Sequence, residues 1–241
     1  MTGTSSAGAP QPNRWSSDVA QQVTKRRSRV LLLLDAAERA GVAPLATERL
    51  HTFAYLANAL SPILDIRPFY GVVVKDIGGP FYPELQREAD HLVVAGLLEV
   101  SDLRYDDRPH EGARIHALYG LRFASDHLEG LLAALGARAP EKALDPRDVQ
   151  IHRFLVELAG ALARLPDDEV AGAGAADMAY ADRSIHENNL VYLERKAAGR
   201  TNLSVTTAER FGEFFPKGSH LSAGEKLYLY AKYLGRRVHV S

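Results

Sequence analysis

Apolar residues recur along this chain at helical spacing, broken at intervals by glycine, proline and short alternating runs. Ser28 is placed to cap a helix from Arg29 to about Ala40, with Gly41 as its stop. From Thr47, the residues Leu50, Phe53, Ala54, Ala57 and Leu60 share one helical face until Pro62 ends the run. Tyr70 to Lys75 is short and apolar and predicts a strand. Gly78-Gly79 then forms a turn, because glycine reaches backbone angles closed to other residues. Pro83 suits a first helical position, Leu85, Ala89, Leu92 and Val93 follow at helical spacing, and Gly96 stops them. Leu97 to Val100 predicts a strand, Ser101 to Gly112 a polar loop, and Ala113 to Leu121 the returning strand.

The second half reads as helical. Phe123, Leu128, Leu131, Leu132 and Leu135 mark one helix, closed by Gly136 and Pro140. Asp145-Pro146 is an N-cap followed by proline, and Ile151, Phe154, Leu155, Leu158, Leu162 and Leu165 give the next helix a continuous apolar stripe. Pro166 to Ala181 turns from acidic to Ala/Gly-rich and predicts a looser helix or loop, and Leu190 to Leu193 a short strand. Thr206–Glu209 and Ser222–Glu225 match the capping box, so each is expected to open a helix. The last helix carries Leu227, Tyr230, Ala231 and Leu234 and is expected to end at Gly235, with Arg236 and Arg237 beside its negative dipole end.

Helix, helix, helix, strand, loop, strand is the order of a winged helix. The expectation is a mostly α protein with a small β wing: a disordered and basic segment at 1–27, a winged-helix domain at 28–121 and a helical domain at 122–241. Winged helices normally offer the third helix to the DNA major groove. Here, between Pro83 and Gly96, Glu84, Glu88 and Asp90 oppose Arg87 alone, and the loop 101–112 holds four acids against two arginines. Such a face repels a phosphate backbone. It predicts protein docking instead, with Tyr82, Gln86, Arg87 and His91 as the partner-binding residues. The basic run Lys25, Arg26, Arg27 and Arg29 is the candidate nucleic-acid contact.

Composition narrows the chemistry. The 241 residues carry 29 basic and 30 acidic side chains, so there is no overall basic footprint for nucleic acid. Absence of cysteine excludes disulfides and thiol chemistry. The N-terminus has no apolar leader region and Leu31–Leu34 is far too short to span a bilayer, so no membrane partner and a cytoplasmic location are expected. No two of the nine histidines show the i, i+4 spacing of a zinc site, and no phosphate loop or nucleophile elbow is present. No metal site, cofactor or catalytic residue is expected. The sharpest catalytic alternative is a Mg²⁺ nuclease of the PD-(D/E)xK type, built from Pro166-Asp167 and Glu194-Arg195-Lys196. Tyr228, Tyr230 and Tyr233 are spaced to stack on bases, but Tyr230 lies with the leucines and is expected to be buried.

Four segments carry a resemblance: LLLLDAAERAG, RLHTFAYLANALSP, GGPFYPELQREADHLVVAGLLEV and LSAGEKLYLYAKYLGRR. Together they resemble the middle component of ABC-three-component, Lamassu-type, anti-phage systems, over roughly Arg29 to Arg237. The Leu/Tyr helix before a Gly-Pro turn is also similar to Panacea-type antitoxin domains. The first resemblance implies a non-catalytic adaptor subunit that joins an SMC/Rad50-like ATPase to an effector, often a nuclease. The alternative is a winged-helix transcriptional regulator or antitoxin that binds DNA through Lys25–Arg29.

Overall fold

The leading helix begins a full turn and more before the first leucine. The computed structural model describes residues 14–76, 79–108, 112–122, 128–135, 146–197, 199–216 and 220–239. Helix α1 spans Arg14–Arg39, which corrects both the cap at Ser28 and the disordered segment from residue 14 onward; residues 1–13 lie outside the described residues. Ser28 Oγ donates to the Thr24 carbonyl one turn back at 2.9 Å, the bond of a mid-helix serine. Gln21, Gln22, Lys25, Arg26 and Arg27 are good helix formers that need no apolar period to continue the helix.

Strand β1 (Leu45–Ala46) leads into α2 (Thr47–Leu60), and Pro62 turns the chain into a 3₁₀ segment at Ser61–Leu64. Strand β2 is Val72–Val74 and helix α3 is Pro83–Val94, with proline in its first turn. Gly79 and Gly96 take φ of +94° and +72°, as the turn and the helix stop require; Gly78 lies outside the described residues. Strands β3 (Leu98–Arg108) and β4 (Gly112–Leu121) absorb most of the segment expected to be a loop. The register shifts between Ser101 and Arg104, where Asp102 takes φ +50°. That bulge lets pairing resume as far as Arg108. The sheet runs β1-β4-β3, antiparallel, with Leu45 opposite Tyr119.

Helices α4 (Leu128–Ala134), α5 (Pro146–Leu162) and α6 (Asp167–Ala176) follow; Phe123, Gly136, Pro140 and Asp145 lie outside the described residues. Strand β5 (Leu190–Tyr192) pairs antiparallel with β2, placing Val73 opposite Val191. A small ribbon of β6 (Lys196–Ala197) and β7 (Arg200–Thr201) precedes α7 (Leu203–Arg210). Asn202 caps α7 by accepting from the Ser204 and Val205 amides, so the helix opens earlier than the Thr206 pattern suggests, and Thr206 sits inside it. Ser222 and Glu225 form the expected capping box of α8 (Ala223–Val238). That helix continues past Gly235, which is buried against Glu169 and Leu165 and serves as a close-approach point rather than a stop.

One apolar core joins residues from Val30 to Leu234. Within it α1 packs on α5, α2 on α6 and α5 on α8, so elements before and after residue 122 share an interior. Among the described residues no helix is long and apolar enough to cross a membrane.

Candidate functional site: the face of the third helix and its hairpin

Pro83, Leu85, Ala89 and Leu92 set the rotation of α3, since burying the last three turns the remaining positions to other neighbours. Tyr82, at the N-cap, is 4% exposed. Its ring stacks on Tyr70 at 4.8 Å and its amide donates to His51 Nδ1 at 3.1 Å. With Nδ1 accepting, the proton of that imidazole belongs on Nε2, which donates to Gln86 Oε1 at 3.1 Å. Gln86 then donates to Asp90 Oδ1 at 2.9 Å and to the Tyr119 hydroxyl at 2.6 Å. Tyr119 donates to Asp90 at 3.0 Å. Burial pushes the Tyr119 phenol up to about 12 and raises Tyr82 further. Tyr82 therefore works inside the protein and is corrected as a surface contact, while Gln86, half-buried, links α3 to α2 and β4. Arg87 and His91 do reach solvent.

The basic run is divided in the same way. Arg27 Nε donates to the buried Glu88 at 2.9 Å, and His91 lies 3.6 Å from the same carboxylate. Arg29 is 7% exposed and sits over the Phe69 ring at 5.9 Å. Its burial lowers its pKa to about 10. Lys25 is exposed and Arg26 half-buried. A run that spans most of two helical turns points its cations in several directions, so it does not form one phosphate-facing strip.

Four large apolar residues remain in solvent on α3 and β3: Val94 at 88%, Tyr105 at 74%, Leu103 at 67% and Val100 at 38%. Exposed acids accompany them. Asp102 holds Arg104 at 2.6 Å and Glu84 leans toward Arg87 at 3.8 Å, so both arginines face a neighbouring carboxylate while Glu99 stays open.

The residues of the nuclease alternative do not converge. Asp167 starts α6 and pairs with Arg49 at 2.9 Å, at the N-terminal end of α2. Glu194 pairs with Arg67 at 3.2 Å, and its neighbour Arg195 donates to Pro62 O at 2.6 Å, beyond the other end of α2. A 14-residue helix separates the two ends by about 20 Å. Among the described residues no group of three His, Cys, Asp or Glu is placed to hold a metal ion.

A buried polar cluster escaped the sequence reading. Asp177, fully buried, accepts from Tyr55 (2.6 Å), Ser204 (2.6 Å) and Tyr230 (2.7 Å), and from the Ala179 and Tyr180 amides. Burial, reinforced by the Asp177 charge, drives the Tyr55 and Tyr230 phenols well above the ordinary tyrosine range. The cluster ties α2, α7 and α8 to the end of α6 and is closed to solvent. Its signal in sequence is slight: single polar residues in otherwise apolar helical stripes. Tyr230 is buried as expected. Tyr228 is half-buried, with Arg164 over its ring at 5.0 Å.

No family model, curated protein or solved structure matches this chain.

Proposed function

We propose that this chain is a non-catalytic adaptor subunit whose N-terminal region is a winged helix used for docking protein rather than reading DNA. The single observation that carries the reading is the α3–β3 face. It presents Val94, Leu103 and Tyr105 to solvent among acids, while Tyr82 and Arg29 are buried in the protein's own interior. An exposed apolar patch rimmed by charge is the usual mark of a protein partner, and an acidic rim disfavours phosphate. The order α1, β1, α2, α3, β3, β4 and the sheet order β1-β4-β3 support the winged-helix reading. The segments that resemble the Lamassu-type middle component support an SMC/Rad50-like ATPase and an effector as the partners.

The test is native capture of the tagged protein from its own cells, with nuclease treatment and a salt series, beside the double variant Val94→Asp/Leu103→Asp. The expected result is a large ATPase that stays bound through nuclease and moderate salt and is lost at least tenfold in the variant. Recovery of DNA alone, released between about 50 and about 200 mM salt, would establish the regulator alternative instead.

A further inference from the structure

The ribbon of β2 and β5 leaves one edge of β5 without a strand beside it. Leu193 donates its amide to Gly71 O, and Lys75 donates to Asn189 O, each at 2.9 Å. These bonds set the alternation along the ribbon: Val73 and Val191 face each other as a hydrogen-bonded pair, and Val72–Tyr192 and Val74–Leu190 do not. The amides and carbonyls of Leu190 and Tyr192 therefore point away from β2, and among the described residues no hydrogen bond reaches them. A cavity of about 330 Å³ lies along this outer edge. Val191 and Tyr192 both line it. Consecutive strand residues send their side chains to opposite faces, so the two share one cavity from the strand's edge. Asp182, Ser184 and Ile185 flank it on one side, and Thr201 and Leu203 on the other. The Asp182–Ile185 turn is firmly held. Asp182 Oδ1 accepts from the Ser184 amide at 2.8 Å, and Lys75 Nζ donates to the carbonyls of Asp182 and Ile185 from outside the cavity.

An open strand edge is a template for another extended backbone. We propose that β5 takes up an extended peptide of a partner protein as an added strand, with a lysine side chain of that peptide in the cavity beside it. In strand addition the main chain supplies affinity and pockets for alternate side chains supply specificity. The described lining residues include one carboxylate, that of Asp182, and no cation, so charge complementarity selects a basic side chain and rejects an acidic one. Ala179, Ile185, Val191 and Leu203 give the apolar stem of a lysine a surface to lie on. The Asp182 carboxylate and the Ser184 and Thr201 hydroxyls give its ammonium, which has three donors and no acceptor, oxygens to meet. A cavity flanked on both sides admits a single free segment rather than the edge of a second folded copy. None of the α3–β3 residues takes part, so the inference is independent of the docking proposed for that face.

The test titrates the isotope-labelled full chain with capped pentapeptides of alternating threonine and valine around a central lysine, and reads amide resonances by nuclear magnetic resonance. The lysine peptide is expected to bind saturably and to shift the Leu190 and Tyr192 amides. Its counterpart with central glutamate, and a lysine peptide with methylated backbone amides, should each bind at least tenfold more weakly. Asp182→Asn keeps the oxygen that accepts from Ser184 and should remove the preference for lysine over glutamate. Thr201→Arg, at an exposed position, sets a rival cation at the cavity and should weaken the lysine peptide at least tenfold. Val94→Asp/Leu103→Asp should leave its binding unchanged. Absence of saturable binding, equal binding of the methylated peptide, or a lysine preference intact in both cavity variants would each overturn the assignment. So would self-association that Thr201→Arg abolishes, which gives the edge to a second copy, or peptide binding that appears only after removal of residues 1–13, which gives it to the chain's own N-terminus.

Discussion

Asp177 is the residue on which the most partners depend. Replacing it with asparagine keeps the volume but turns one of its two accepting oxygens into a donor, which would face either the Tyr230 hydroxyl or those of Tyr55 and Ser204. Asp177→Asn is therefore expected to cost about 2–4 kcal/mol, and Tyr230→Phe, which removes one donor, about 1–2 kcal/mol, measured by urea unfolding. The tyrosines also set the alkaline limit. Tyr55, Tyr82 and Tyr230 are raised well above the ordinary value, and Tyr70 and Tyr119 to about 12, so above pH of about 10 the folded chain keeps protons that the unfolded chain gives up. Their contribution is complete below that pH and is lost as pH rises, by about 1.4 kcal/mol per unit for each phenol ionised only in the unfolded state. Arg29, lowered to about 10, acts in the opposite sense, but it is one group against five. Urea midpoints from pH 7 to 11 should be flat and then fall steeply, and Tyr82→Phe should shallow that fall. A midpoint unchanged to pH 11 would contradict the burial of these phenols. Of this group the sequence indicates only the burial of Tyr230, which lies with the leucines; the cluster itself is not legible there, because Tyr55 and Asp177 lie 122 positions apart.

Among the elements, those that announced themselves did so through apolar period plus punctuation. Helix α2, helix α3 and the capping box of α8 fall where Leu50, Pro83 and Ser222 place them. Two features carried no such signal: the early start of α1 is built from polar helix formers, and the distal part of the hairpin depends on cross-strand pairing. Helix α6 is a third case, since its Ala/Gly composition suggests looseness while the fold uses it for close approach. A Cβ added at Gly174 would stand 2.7 Å from Pro80 Cγ and 3.2 Å from Thr52 Oγ1. Alanine there would gain up to about 1 kcal/mol of helix propensity against about 1–3 kcal/mol of overpacking by a rigid ring. The clash wins, and Gly174→Ala should lower the thermal midpoint by several degrees. The same change at Gly235 meets mainly the carboxylate end of Glu169, which can swing away, so it should be milder. Equal effects at both sites would show that helix α6 does not pack as described.

At the scale of the molecule, the sequence divides at residue 122, yet the interior does not. Strand β2 finds its only described partner in β5, and Lys75 Nζ donates to the carbonyls of Asp182 and Ile185 at 2.7 and 2.9 Å. Leu31, Leu33 and Leu34 of α1 and Phe154, Leu155 and Leu158 of α5 belong to one buried cluster. A fragment ending at residue 121 would open that cluster along α1 and α2 and leave Tyr55 without its carboxylate partner. Fully exposing even a handful of such side chains costs about 1.5–3 kcal/mol each, a sum comparable to the whole 5–15 kcal/mol that stabilises an ordinary domain. Residues 1–121 alone should therefore lack a cooperative thermal transition. The intact chain should unfold in one step, with far-ultraviolet circular dichroism and tyrosine fluorescence changing together. Two separated transitions, or a fragment that melts cooperatively on its own, would show that the halves are independent domains. The acidic α3–β3 face would then be carried by a free N-terminal unit, and the docking proposed for it could be tested on the fragment without the rest of the chain.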